Sequence, residues 1–585
     1  MQHSDSIRLV DVVSCKDIES VSCSLLTVRL SEAPPFETIS YVWGDPNDRV
    51  EIKVNDRSLL ITRNLLGALR QVSKGQRTKY LWTDGVCIDQ LNIKEQGHQV
   101  ALMAQIYEHA QRVLISLGPD DGFARARRVG KLLEQMKIKV TDQIEEYGSY
   151  NDIPTLDASR LEPFESLHWG SLAVMLDHKW FERAWIVQEI GLAREGTIFY
   201  GEEQFDWDQL IMVIAWVSQI GPNIANKTGI FYRNPQTLLR LWTSYRPESR
   251  TEYALRSAPS TFLEVLRHAR TKYEASDLRD HLYAFLGHPT AEKEGILSFV
   301  EPDYEKAVEE IFLNFTLKWL ERNKRSHIFA YAGISHGDNP TLNLPTWCPC
   351  WVGPCFQARS LADNMEPLNS TEADFNFKYL GSDKLEVQGF IFDEVDEVSS
   401  VLADDNIYHE YAGESSDSIE IVDFFYRVLK QGKNRAPITY GTLSSYFSVL
   451  IPTLRSAPVT LEDMAAYVLD PLKSKPDFDA DLLGEIENEA EFGIYPETTA
   501  HSLRATLITR RIFLLKGGSF GLGPTAMEKG DLCFVIPNAQ TPVIIRRGEG
   551  GYKLVGDCFV HDLVKAGATD VLNDSKFSIE PLILI

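Results

Sequence analysis

The stretch WFERAWIVQE, residues 180–189, places two tryptophans, two glutamates and a glutamine within ten positions. Trp185 and Glu189 are four apart, so on a helix they share a face. Ile186 and Val187 lie between them, and an apolar face tolerates a carboxylate only where it has a partner or a task. Two readings stay open. Glu189 either pairs with a basic residue or joins a buried hydrogen-bond network, with Trp185 as core, or it borders a polar pocket and does chemistry there. Asp45, Asp84, Asp89 and Gln90 stand at or near expected strand ends, where open α/β sheets bind ligands. Each could line such a pocket. The commoner roles are that Asp45 orders its own turn and Asp84 caps a loop.

Other chemistry-bearing residues read as structural. Cys87 lies in an apolar run and reads as a small core residue rather than a nucleophile. Nothing in the sequence places His98, on the following helix, against it. Gly517-Gly-Ser519-Phe-Gly521 fits the G-x-S-x-G pattern, but a nucleophile elbow needs a strand before it and a helix after it. Leu522-Gly523-Pro524 follows, so a glycine-rich hairpin is expected. Cys348-Pro-Cys350 with Cys355 lacks a fourth ligand at metal-site spacing, and no phosphate-cradling Gly-Lys-Ser/Thr loop occurs.

The elements that must position these residues follow from periodicity. FETISYVW (36–43) is a short apolar strand ending in the tight loop Gly44-Asp45-Pro46-Asn47. Residues 49–61 read as a hairpin around Asn55-Asp56, and Asn64 can cap a helix to about Ser73. KYLWTDGVCI (79–88) reads as a strand, 93–111 as a helix, VLISLG (113–118) as a buried strand, 178–193 as one helix and TIFYG (197–201) as a further strand. Strand alternating with helix implies a parallel sheet with covering helices. Residues 1–205 therefore form one α/β domain, with a helical, charged insertion near 123–168. Residues 206–340 are helical. Residues 341–585 are strand-rich and glycine-punctuated, which suggests a small β-barrel, with a helical insertion near 405–493. Because a lone strand pair is marginal, 376–401 should join the strands of 509–585.

Composition limits the function classes. The chain of 585 residues has room for roughly three or four domains of about 150 residues. No run of about 18 uncharged apolar residues occurs, so no membrane span is expected. MQHSDSIRLVDVV lacks the basic and apolar regions of a secretory signal. Eight scattered cysteines fit a reducing, cytoplasmic setting. A formal charge of −24 disfavours a nucleic-acid partner. Arg125-Ala-Arg-Arg128 and Arg546-Arg547 are local basic candidates, read as solvated surface charge.

Several motifs then agree. ISYVWGD (39–45), LWTDGVCIDQ (81–90), EQGHQVALMAQIY (95–107), WFERAWIVQE and SDLRDHLYAFLG (276–287) resemble the fungal heterokaryon incompatibility family, the HET domain. LPTWCPCW (344–351), GDLCFVIPNAQTPVIIRR (530–547) and GYKLVGDCFVHDL (551–563) resemble later parts of its full-length members, so the likeness covers nearly the whole chain. It implies non-self recognition between fungal cells and programmed cell death, self-association through the HET domain, and an allelic or non-allelic incompatibility partner.

The HET domain in turn resembles, more distantly, the Toll/interleukin-1 receptor (TIR) fold. ISYVWGD is similar to its first strand and loop, and Trp185-Ile-Val-Gln-Glu189 to a helix whose glutamate is catalytic in NAD-cleaving members. That resemblance implies Glu189 as the catalytic residue; Trp185, Tyr41, Trp43, Gly44, Asp45, Asp84, Asp89 and Gln90 are then the expected NAD-binding residues. NAD would be a substrate, with no tightly bound cofactor and no metal. Nicotinamide in NAD is already cationic and leaves without an acid, so one carboxylate could suffice where ordinary glycosides need two. Glu189 would hold the ribose hydroxyls and stabilise developing positive charge, and Trp185 could stack on nicotinamide. The insertion near 123–168 departs from a compact TIR domain and could reshape or cover the pocket. The rival reading is a non-catalytic death adaptor acting by self-association.

Overall fold

Short, continuously apolar runs need both faces covered, and the first sheet places them at its centre. The computed structural model describes residues 4–17, 20–120, 122–156, 164, 167–230, 235–245, 258–270, 272–334, 342–353, 375–399, 401, 510–536, 539–560, 563 and 577–585. The chain divides into two compact units, Met1–Ala307 and Val308–Ile585. The boundary expected near 205 lies inside the first.

The first unit holds the strands β1 (Ser6–Asp17), β2 (Ser20–Arg29), β3 (Phe36–Tyr41), β4 (Arg49–Val54), β5 (Arg57–Thr62), β6 (Tyr80–Trp82), β7 (Val113–Ser116), β8 (Gly196–Tyr200) and β9 (Glu203–Asp206). They make one sheet in the order β5-β4-β2-β1-β6-β3-β7-β8-β9. The central run β6-β3-β7-β8 is wholly parallel. β3 and β7 are buried along their full length, as parallel strands with helices on both faces require. The helices α1 (Arg63–Ser73), α2 (Asp84–Cys87) and α3 (Ile93–His109) stand between the early strands, and α4 (Arg125–Tyr147), α5 (Trp169–Leu176) and α6 (Ile186–Gly191) between β7 and β8. The alternation read from the sequence is therefore present.

Three local expectations change, and one element is new. The hairpin β1–β2 was not legible. It extends the sheet through an antiparallel pairing of Val10 with Leu81. The strand expected over 79–88 stops at Trp82, and Asp84-Gly-Val-Cys87 makes a single helical turn. The helix expected over 178–193 is broken into a 3-10 turn, Lys179–Glu182, and α6. Arg183 between them is extended, because the backbone there pairs with Glu274 instead of continuing a helical ladder. Finally, Thr62 caps α1 by accepting from the Leu65 amide at 3.3 Å, while Asn64 donates to the Val42 carbonyl at 3.2 Å. The hairpin at Asn55-Asp56 is as expected: β4 and β5 pair antiparallel, and φ values of 47° and 61° give the left-handed pair of a type I′ turn.

After β9 the first unit continues in helices, among them α7 (Trp207–Gln219), α8 (Pro222–Thr228), α9 (Pro235–Thr243), α10 (Phe262–Arg270), α11 (Asp280–Tyr283) and α12 (Pro289–Lys293).

The second unit opens with α13 (Val308–Asn323) and carries its own sheet. Its strands are β10 (Phe377–Gly381), β11 (Lys384–Val398), β12 (Arg510–Leu515), β13 (Phe520–Pro524), β14 (Leu532–Val535), β15 (Val543–Gly548), β16 (Gly551–Asp557), β17 (Phe559–Val560) and β18 (Glu580–Leu584). The long β11 pairs along its length with β10, β18, β14 and β12, so 384–398 shares a sheet with 510–584 as expected. Phe390, Val395, Phe513, Val535, Ile544 and Val555 build its core. The insertion expected near 405–493 lies outside the described residues. Among the described residues no helix is long and apolar enough to cross a membrane.

Ser519 sits in the turn of the antiparallel β12–β13 hairpin, so the helix that a nucleophile elbow needs is replaced by a strand. Arg546 is not free surface charge: its guanidinium grips both Asp531 oxygens at 2.8 and 2.9 Å and the Ala526 carbonyl at 2.7 Å.

Candidate active site

The C-terminal end of β3 delivers Ser40 and Tyr41, the 3-10 turn delivers Trp180, the extended Arg183 follows, and α6 carries Glu189. Glu189 is only 2% exposed. Arg183 approaches it with two parallel donors, Nη2 to Oε1 at 3.0 Å and Nη1 to Oε2 at 3.2 Å, the bidentate geometry that makes guanidinium–carboxylate pairs strong. The Ser40 hydroxyl donates to Oε2 and itself accepts from Trp180 Nε1 at 2.7 Å. Burial works to lower the Arg183 pKa, but the charge and hydrogen bonds of Glu189 carry it above its ordinary value.

Two buried tyrosines complete the cluster. Burial pushes the Tyr107 hydroxyl well above its usual range, with the Glu189 and Asp84 charges adding to it. Burial likewise raises Tyr41, whose hydroxyl lies against Asp84. Both hydroxyls are therefore held in the neutral form.

Asp84 joins this cluster to the surface residue Trp43. Its Oδ2 accepts from Trp43 Nε1 at 2.7 Å, its Oδ1 from the Gly85 amide at 2.7 Å, and its carbonyl from Gln90 Nε2 at 3.0 Å. Trp43 remains 38% exposed. Gly44, next to it, has φ +76°, which favours glycine, and a Cβ there would come within 2.5 Å of Asn64 Nδ2 and displace that side chain. Behind this rim Arg8 holds the loop after α2. Its guanidinium pairs with both Glu95 oxygens at 2.6 and 2.9 Å and donates to the Cys87 carbonyl at 2.9 Å.

Tyr41, Trp43, Asp84, Gln90 and Glu189 thus share one neighbourhood. The other candidates do not enter it through their side chains. The exposed Asp45 accepts from the Asn47 amide at 2.8 Å, and the exposed Asp89 from the Leu91 amide at 3.1 Å, both ordering turns. Trp185 stays one turn from Glu189, whose amide donates to its carbonyl at 3.0 Å. Its indole diverges, however, and donates to Asp280 Oδ2 at 3.0 Å. Sequence reasoning missed Arg183, Ser40, Arg8, Glu95 and Asp280. The signal for Arg183 was present, a basic residue inside the same ten-residue stretch. Asp280 stands in a quoted motif, but nothing local tied it to Trp185.

Burial pushes the Cys87 thiol up to about 12, as a core thiol requires. Cys348 is likewise raised to about 12 by burial, and Cys355 lies outside the described residues. Among the described residues no group of three or more His, Cys, Asp or Glu side chains could hold a metal.

A carboxylate with both oxygens engaged by a guanidinium and a hydroxyl is charge-compensated. Oε2 accepts from both partners and Oε1 from Arg183, which fills three of a carboxylate's roughly four acceptor sites.

Residues 36–189 match the family model described as heterokaryon incompatibility protein (HET). The match begins on the first residue of β3 and ends on Glu189. Heterokaryon incompatibility protein 6, OR allele, of Neurospora crassa is 22% identical, over 98% of this chain and 96% of that protein. No solved structure matches the chain.

Proposed function

Since the chain is a member of the heterokaryon incompatibility (HET) family, we propose that it acts in heterokaryon incompatibility, with the first unit as its effector, working by self-association and not by chemistry at Glu189. One observation carries this reading. Both oxygens of a 2%-exposed Glu189 are engaged inside the protein by Arg183 and Ser40. A carboxylate so placed organises the ends of β3 and α6: three of its roughly four acceptor sites are filled and its charge is met by Arg183, inside the protein. In this reading the protein acts in the cytoplasm, its output is programmed cell death, and an allelic or non-allelic product of a different strain triggers it. The second sheet closes as a small barrel, for which the pairing of β14 with both β15 and β11 is the support.

A second reading keeps Glu189 as the catalytic residue of an NAD glycohydrolase on a TIR-like scaffold. Its support is the gathering of Tyr41, Trp43, Asp84 and Gln90 beside Glu189, at the carboxyl ends of the parallel strands. It requires a carboxylate that is 2% exposed to open to a ligand.

Nicotinamide release from NAD by purified protein, measured beside its oligomeric state, separates the two. Concentration-dependent assembly with no NAD turnover is expected. Turnover that Glu189→Gln abolishes in a folded protein would overturn the association reading.

A further inference from the structure

One continuous segment, residues 274–288, grips the turn at 182–189 at three points. The Glu274 amide donates to the Glu182 carbonyl at 2.5 Å, and the Ala184 amide donates to the Glu274 carbonyl at 2.9 Å. Asp280 accepts from the Trp185 indole at 3.0 Å. The Gly287 amide donates to Gln188 Oε1 at 3.0 Å, and a Cβ on Gly287 would stand 2.6 Å from that same oxygen, so a larger residue would push the Gln188 side chain off this bond.

Residues 303–306 back the segment. The Tyr304 hydroxyl donates to the second Asp280 oxygen at 2.5 Å. Arg279, adjacent to Asp280, turns away: it grips Asp277 at 2.8 and 2.6 Å and the carbonyls of Tyr304 and Lys306 at 2.6 and 2.9 Å. Tyr283 bonds the backbone of Asp303. All of these groups lie beyond residue 189, where the family match ends.

We propose that segment 274–288 is a clamp that positions Arg183 on Glu189, and that Asp280 is its latch, acting through Trp185. The geometry supplies the reason. Arg183 has left the helical ladder, so its extended backbone is held from outside, by Glu274 on one side and by the Asp280–Trp185 bond two residues on. Asp280 is a positioning residue in this scheme.

The groups facing the Asp280 carboxyl are Trp185 and Tyr304 from the packed elements, and Asp277, Arg279 and Tyr283 from its own segment. Burial pushes its pKa up to about 7, against the hydrogen bonds of Tyr304 and Trp185. The ionised carboxylate accepts from both donors. The neutral acid keeps one acceptor oxygen and must itself donate from the other, so the latch changes its bonding near neutral pH.

The test uses the full chain, with the Trp185 signal taken as parent minus Trp185→Phe fluorescence, and hydrogen exchange read at the amides of 183–189. Asp280→Ala should speed that exchange about tenfold or more and shift the Trp185 signal, while circular dichroism is retained. Asp280→Asn, which keeps an acceptor for the indole, should restore both. The parent Trp185 signal should titrate between about pH 6 and pH 8, and Asp280→Asn should not. Exchange and Trp185 signal unchanged by Asp280→Ala would overturn the clamp. If Asp280→Ala does not fold, Tyr304→Phe decides: it should move the titration midpoint upward, and an unmoved midpoint overturns the latch. The clamp rests on the effector reading only where killing is concerned. Killing on expression is therefore scored separately: a parent protein that shows the titration but kills no cells overturns the effector reading alone.

Discussion

Two buried carboxylates are tied to the same turn and compensated in different ways. Glu189 meets a guanidinium head-on, with two donors and a full opposite charge. Asp280 meets an indole N–H and a phenol O–H, both neutral, while the nearest guanidinium is committed to Asp277. Burial costs an ionised carboxylate several kcal/mol unless it is compensated. Arg183 compensates Glu189. Asp280 responds instead by a raised pKa, to about 7. The difference teaches that one carboxylate is a lock, tied to a cation, and the other a group whose charge the solvent can set.

The largest effect should come from Arg183→Leu. It leaves Glu189 buried with Ser40 and no cation, and removing one partner of a buried pair costs about 3–5 kcal/mol. Urea denaturation monitored by circular dichroism measures it. A loss within error of zero would break the comparison, because Glu189 would then not depend on Arg183.

Glu189→Gln keeps the shape and removes the charge. Arg183 retains a side-chain exposure of 16%, so water can take over part of its solvation. The expected loss is about 1.5–3 kcal/mol, below that of Arg183→Leu, by the same denaturation. The reverse order would mean that the cation, not the carboxylate, is the group in need of compensation.

Asp280→Asn should act in the opposite direction. Its folded pKa of about 7 lies above the value of 3.8 taken for the unfolded chain. Between those values the folded chain holds a proton that the unfolded chain has released. The stability this lends is complete below the unfolded value and is lost as pH rises through 7. At pH 8 the parent therefore carries a buried charge that the Asn variant lacks, and the variant should be more stable by at least about 1 kcal/mol, since each unit of the upward shift corresponds to about 1.4 kcal/mol and the weaker hydrogen bonds of the amide give part of that back. That advantage should shrink as pH falls toward 4. Melting temperatures of both proteins across this range check it, and parallel curves would remove Asp280 from the comparison.

Tyr304→Phe sharpens it most finely. One hydrogen bond is lost, for about 0.5–1.5 kcal/mol, and the Asp280 pKa should rise further because the Tyr304 bond lowers it. A Trp185 fluorescence titration reads the shift.

Part of this was legible in residue order alone. Apolar runs separated by helical periods read as a central parallel sheet, because strand and helix periodicity are local properties of the chain. Asn55-Asp56 marked its hairpin because only a few residue types accept left-handed backbone. Gly523-Pro524 ruled out a nucleophile elbow at Ser519 because a helix could not start there. The spacing of Trp185 and Glu189 correctly placed them one turn apart.

What that turn does was decided only by tertiary structure. Ser40 reaches Glu189 across 149 positions, and Asp280 reaches Trp185 across 95. The helix expected through 178–193 breaks at Arg183 because Glu274 offers its backbone there, which no property of 178–193 foretells. Periodicity tells which face of an element is buried. It does not tell which distant donor or cation waits on that face, and for a buried carboxylate that partner sets whether it is a lock, a latch or a catalyst.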